Sequence, residues 1–102
     1  MKRSVPDLKI TIDNKAADWY INELQLEKGD MVQFFVRYGG CSNVQKGFSL
    51  GVVKQSPEEI GSSVESKGIT FFVENRDLWY FDEHDLHVDL DEDGEEPVFH
   101  YN

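Results

Sequence analysis

The chain has 102 residues, 39% of them hydrophobic and 13% aromatic, and 20 acidic against 10 basic residues give a formal net charge of −10. That length holds one core, so a single domain over residues 1–102 is expected, and the apolar content excludes a disordered chain. No apolar run approaches membrane-spanning length, the lone Cys41 excludes a disulfide scaffold, and Met1-Lys2-Arg3-Ser4-Val5-Pro6-Asp7 has no apolar stretch behind its basic residues, so a reducing, cytoplasmic setting is expected.

Leu8-Lys9-Ile10-Thr11-Ile12 alternates apolar and polar and reads as a half-buried strand. Asp13 is placed to cap a helix in which Ala17, Tyr20, Ile21 and Leu24 recur at helical spacing, and Gly29 is placed to end it. Met31 to Tyr38 predicts a strand with Val32, Phe34, Val36 and Tyr38 on one face, broken by Gly39-Gly40-Cys41-Ser42-Asn43. Phe48, Leu50 and Val52 mark the next strand, and Ser56-Pro57-Glu58-Glu59 a loop or one helical turn. Gly61 to Gly68 is polar, an edge strand or loop. Ile69, Phe71 and Val73 give another strand, after which Asn75 is placed to cap a short helix, Arg76 to Phe81, pinned by Leu78 and Phe81. Leu86, Val88 and Leu90 alternate with His87, Asp89 and Asp91, which predicts one buried and one acidic face. Glu92-Asp93-Gly94 is a turn, and Val98 to Tyr101 a last strand, with Pro97 pointing to an edge or a strand start. One helix and about six short strands make an α+β fold, in which the helix packs on folded-over mixed sheets. Long helices do not alternate with the strands, which argues against a doubly wound nucleotide-binding fold.

Charge is segregated. All ten Lys and Arg lie in residues 1–76, while residues 77–102 hold ten acids and all three histidines. A surface of that sign repels phosphate backbones, so no nucleic-acid partner is expected. It reads either as a solvated face or as a cation site or docking surface for a basic partner, with Asp89, Asp91 and Asp93 at its centre.

Cys41 is the most informative residue. Two glycines before it free the backbone and leave no side chains shielding the sulfur, and thiol chemistry or metal ligation needs an accessible thiolate. A plain loop cysteine and a redox-sensing thiol are the other readings. His84 and His87 are three apart, which on a strand sends them to opposite faces; with His100 they are weak metal candidates beside the reading as solvated side chains. Asp89, Asp91, Asp93 and Gly94 match the first half of a calcium loop, but His100 stands where a bidentate Glu is required, so an acidic hairpin turn is the better reading. No complete hydrolase or transferase constellation is visible, and an enzyme is not expected.

At Phe35-Val36-Arg37-Tyr38-Gly39-Gly40-Cys41-Ser42 the chain resembles the HesB/IscA family, the A-type carriers of iron–sulfur cluster assembly. The resemblance covers nearly the whole length, through Ala16-Ala17 in the helix, Ile69-Thr70-Phe71-Phe72-Val73, Leu78-Trp79-Tyr80-Phe81 and the closing strands. It is nearest to small single-cysteine HesB-like proteins of Gram-positive bacteria, and it implies the IscA-like fold. It also implies an accessory role in iron–sulfur metabolism and iron–sulfur assembly proteins as partners. Family members that carry clusters have a second and third cysteine in a C-terminal Cys-Gly-Cys, and this chain reaches Phe99-His100-Tyr101-Asn102 about where that pair would begin. Asn43-Val44-Gln45-Lys46-Gly47 also departs from the family loop, so Cys41 alone carries over as a ligand. A two-iron cluster normally takes four thiolates. A monomer of this chain supplies one and a homodimer two, so the resemblance implies transient or shared binding of iron or a cluster through Cys41, with the remaining ligands drawn from His84, His87 or His100, from tail carboxylates, or from a small thiol such as glutathione. The rival expectation is a metal-free interaction module that docks a basic protein through the acidic face.

Overall fold

Apolar–polar alternation produces most of the strands in the computed structural model, which describes residues 8–41 and 46–102. In chain order the elements are β1 (Ile10–Ile12), α1 (Asn14–Leu24), β2 (Met31–Cys41), β3 (Lys46–Lys54), β4 (Ile60–Ser66) and β5 (Ile69–Glu74). A 3-10 helix (Asn75–Phe81), β6 (Leu86–Leu90) and β7 (Pro97–Tyr101) follow. They form a three-stranded sheet in the order β1-β6-β7 and a four-stranded sheet in the order β3-β2-β5-β4. β1 runs parallel to β6 and β2 to β5, while the remaining neighbours are antiparallel, so both sheets are mixed. The fold is α+β, as expected.

α1 starts where the sequence places it. Asp13 is extended, and its carboxylate accepts from the Lys15 backbone N–H at 3.2 Å, satisfying one of the donors a helix start leaves open. Ala16, Ala17 and Tyr20 form its buried stripe. The end comes earlier than Gly29. Gln25 takes a left-handed conformation (φ 53°), and the Leu26 N–H donates to the Ile21 carbonyl at 2.9 Å. This early turn carries Leu26 into the core, the apolar contact that commonly accompanies such a cap. Gly29 (φ 97°) serves the following turn instead, where its N–H donates to the Gly68 carbonyl.

The core fills the space between α1 and the two sheets. Phe34 of β2 and Phe71 of β5 stack with centroids 5.9 Å apart, and Tyr20 of α1 lies against both. Phe99 of β7 meets Phe34 edge-on at 5.6 Å. Helix and both sheets thus meet in one aromatic cluster, each such pair adding about 0.5–1.5 kcal/mol beyond its area burial. Leu86 and Val88 complete the buried face of β6, as their spacing predicts.

β5 is an inner strand, and Phe72 and Glu74 are buried on the face opposite Phe71 and Val73. β4 is the edge strand that the polar stretch from Gly61 implies. The stretch Ser56–Glu59 holds no helical turn. Asn75 lies within the 3-10 helix rather than capping it, with Glu74 at the cap position and no side-chain cap bond there. Glu74 is turned to another task. Its carboxylate accepts from the backbone N–H groups of Glu58 and Glu59, each at 2.9 Å, and so fastens the chain entering β4.

Candidate functional site

The residues singled out by the sequence fall on two different sheets. The first group is the β2–β3 hairpin. β2 pairs with β5 only from Met31 to Gln33, and beyond that point it keeps β3 as its strand partner. The side that β5 leaves is taken by the 3-10 helix, whose Asp77 carboxylate accepts from the Val36 N–H at 3.2 Å. The two glycines do not break the strand as expected. Tyr38 pairs with Phe48 and Cys41 with Lys46, so three steps on β2 match two on β3. One residue is bulged out, and Gly39 at φ 107° absorbs it; without a Cβ this angle is free of strain. The Ser49 hydroxyl donates to the Gly39 carbonyl at 3.1 Å and ties the bulge to β3. The backbone of Cys41 therefore closes β2, while its side chain, and the loop reading at Ser42 and Asn43, lie outside the described residues.

Below Cys41 an aromatic series runs down the hairpin. Tyr38 lies against Phe48 and Phe48 against Trp79, both with centroids 5.3 Å apart, and Trp79 leads to Tyr80. Tyr38 is 89% exposed, although its alternation places it with Val32 and Phe34. The face is the expected one, but the hairpin has by then run past the core. Exposed aromatics of this kind are typical of contact surfaces.

The second group lies on β6 and β7. His87 and His100 are paired across the two strands, with ring centroids 6.1 Å apart. His100 Nε2 donates to Asp89 at 2.8 Å, so the proton sits on that nitrogen, while His87 Nε2 is 3.9 Å from the other carboxylate oxygen. His87 Nδ1 and the Thr11 hydroxyl are 2.6 Å apart. His84 lies apart from both. Its Nδ1 faces the carbonyl oxygens of Phe81 and Asp82 at 3.0 and 3.1 Å, which can only accept, so it is the donor that closes this turn. Among the described residues no three of His, Cys, Asp and Glu are disposed to hold a metal ion. His87 and His100 converge on Asp89, and neither they nor His84 share the sheet that carries the Cys41 backbone.

The acidic turn has internal uses as well. Asp91 accepts from the Glu95 N–H at 2.8 Å and, through its carbonyl, from Gly94 at 2.9 Å, with Gly94 at φ 70°. A cleft of about 490 Å³ beside it is lined by Asp13, Lys15, His87, Asp89, Asp91 and Asp93 among others, and so carries both charge signs. Of the three acids read as a docking face, Asp89 accepts from His100 and Asp91 serves its own turn. The sequence reading missed the buried Glu74, because a glutamate at the end of a strand looks like any exposed one.

Comparison with known proteins gives these features a context. The profile of the iron-sulphur cluster biosynthesis family matches residues 8–101. The pyruvate dehydrogenase inhibitor of Bacillus subtilis is 63% identical over 92% of this chain and 99% of its own length. An uncharacterized protein of Staphylococcus saprophyticus is 40% identical over 83% of this chain and 90% of its own. Among solved structures, Escherichia coli SufA, involved in biosynthesis of iron–sulfur clusters, matches with a TM-score of 0.55 and 23% identity, over 91% of this chain and 78% of that one. A protein from Aquifex aeolicus matches with the same TM-score and 17% identity, over 100% of this chain and 98% of that one. The expected fold is thereby borne out, and the chain belongs to the iron–sulphur cluster biosynthesis family, the HesB/IscA family its hairpin resembles.

Proposed function

We propose that this chain is a regulatory, non-catalytic member of its family that binds pyruvate dehydrogenase and lowers its activity. The observation that carries this reading is the 63% identity to a Bacillus subtilis protein named pyruvate dehydrogenase inhibitor, over 92% of this chain and 99% of that one. The arrangement of the side chains supports it. The histidines offered as metal ligands are engaged with Asp89, Thr11 and backbone carbonyls. Inhibition by binding also needs no catalytic constellation. The test is a steady-state assay of purified pyruvate dehydrogenase complex with this protein added. The rate falls in proportion to occupancy, and the Cys41→Ser variant inhibits as well as the parent. An unchanged rate at a large molar excess would end this reading.

Family membership supports a second reading, in which Cys41 contributes one thiolate to iron or a cluster shared with a second copy or with an assembly protein. It predicts iron and visible absorbance after anaerobic incubation with ferrous ion and sulfide, both lost in Cys41→Ser. Parent protein that emerges from that incubation free of iron removes it.

A further inference from the structure

α1, β3 and β7 do not close on one another, and a groove of about 280 Å³ remains between them. Its apolar walls are Trp19, Tyr20, Leu24, Val52, Pro97 and Phe99. The walls are braced from behind. Trp19 Nε1 donates to the Glu95 carbonyl at 2.8 Å and its ring meets Tyr20 edge-on at 5.3 Å, while Phe99 rests on Phe34. The aromatic sides are thus held apart rather than free to collapse into the space.

The rim is anionic. Glu23 and Glu96 flank the groove and are exposed, and no Lys or Arg lines it among the described residues. The last turn of α1, which supplies Glu23 and Leu24, has no basic residue, so the partial negative charge of the helix C-terminus is left without a cation of its own. On the opposite wall, β7 belongs to the stretch 77–102 that contains no Lys or Arg at all.

This chemistry selects its occupant. An apolar floor takes one or two large aliphatic or aromatic side chains, and an anionic rim takes Lys or Arg on either side of them, the pattern of a basic amphipathic segment laid in a groove. Nucleic acid is disfavoured by the sign of the rim. A second copy of this chain, also at −10, would bring like charges against each other, which costs rather than gains affinity. Resting on the reading of the preceding subsection, we propose that this groove is the docking surface for the inhibited enzyme, which it holds through an apolar segment flanked by Lys or Arg.

Two measurements test it. The first titrates a synthetic amphipathic Lys/Leu peptide into isotope-labelled protein and follows its NMR signals. Shifts appear at the Trp19 indole, Leu24, Val52 and Phe99, and the affinity falls between about 50 and about 300 mM salt as the Debye length shortens. No shifts, or shifts confined to the Asp91–Glu95 turn, overturn the groove.

The second compares variants in the pyruvate dehydrogenase assay. Glu23→Lys with Glu96→Lys raises the half-inhibitory concentration about tenfold or more, as rim charge reversal does when the partner is basic. Glu59→Lys with Glu65→Lys makes the same change in net charge near the edge strand β4 and leaves inhibition intact. Leu24→Ala, which keeps every charge, also weakens inhibition. Near-ultraviolet circular dichroism checks that each variant is folded. Groove variants that inhibit as well as the parent overturn the proposal while the inhibitory function stands. Parent protein that does not inhibit ends that function and with it the enzyme as occupant, and the peptide titration then reports only whether the groove takes a basic amphipathic segment.

Discussion

Glu74→Gln isolates a single buried carboxylate whose task is visible only in the folded chain. Glu74 is 3% exposed, and its two oxygens accept from the Glu58 and Glu59 N–H groups at 2.9 Å each. The Asn75 N–H donates in return to the Glu59 carbonyl at 2.8 Å, so the segment entering β4 is clamped from both sides. The amide keeps the volume of the side chain. It also keeps one acceptor, now uncharged, and sets an NH₂ against the second backbone N–H. Hydrogen bonds to a charged group contribute about 1.5–3 kcal/mol each, and a neutral one about 1 kcal/mol. The loss is reduced because Glu58 and Glu59 are exposed and their N–H groups can return to water, and because a buried charge is removed. The expected net destabilisation is about 2 kcal/mol, read as a lower urea midpoint with an unchanged slope. Glu58→Gln provides the contrast. It removes only the ion pair to Arg76 at 3.3 Å between side chains 75% and 64% exposed, and such pairs contribute about 0–1 kcal/mol. If Glu74→Gln unfolds within about 0.5 kcal/mol of the parent, less than one net hydrogen bond, the clamp does not hold β4 and the reasoning fails.

Gly61→Ala places a Cβ 2.8 Å from the Asn75 Cα and 2.9 Å from the Leu78 Cγ, so either the 3-10 helix or β4 must shift. A loss of about 1–3 kcal/mol is expected, and an unchanged thermal midpoint would show that the contact yields freely. Acid stability depends on Asp30, whose pKa is lowered from 3.8 first by the Glu27 backbone N–H and then by Lys54. A depressed carboxylate stabilises the fold above its unfolded pKa and loses that contribution as the pH falls through the folded one. Asp30→Asn should therefore flatten the stability profile below about pH 4, and a profile as steep as the parent's would refute the assignment. At the alkaline end, burial raises Tyr20, and burial together with the Tyr80 hydroxyl at 3.1 Å raises Tyr101, both above the ordinary 10.0. Their raised values hold stability that is complete below that pH and declines above it, so Tyr20 and Tyr101 should ionise only as the fold opens. Absorbance titration in which Tyr20 and Tyr101, identified by Tyr→Phe variants, ionise before the circular dichroism changes would contradict this.

Much of the fold is legible in the residues themselves. The period-2 pattern of Leu86-His87-Val88-Asp89-Leu90 can bury only one face, and that is the face found buried. Asp13 caps α1 for a reason local to three residues, its carboxylate reaching the Lys15 N–H. The bulged hairpin was half legible: Gly39-Gly40 announced unusual backbone angles, but a break and a bulge share the same composition, and only the pairing of Tyr38 with Phe48 and Cys41 with Lys46 separates them. The end of α1 at Gln25 was hidden because burial of Leu26 outweighed the preference for glycine at a helix end.

The site was less legible than the fold. A sequence carries the inventory of chemistry, one thiol, three imidazoles and a cation-free final quarter, and the hairpin motif that marks its family. Which of those groups meet is a matter of distances between residues far apart in the chain. Thr11 reaches His87 across 76 residues, Trp19 reaches the Glu95 carbonyl across another 76, and Val52 faces Leu24 and Phe99 across a groove that no local pattern encodes. Periodicity reports which face of an element is apolar, because that is fixed by the geometry of a single strand or helix. The tertiary structure alone decides which apolar faces close on one another and which stay open to a partner, because that depends on how completely separate elements fill the space between them.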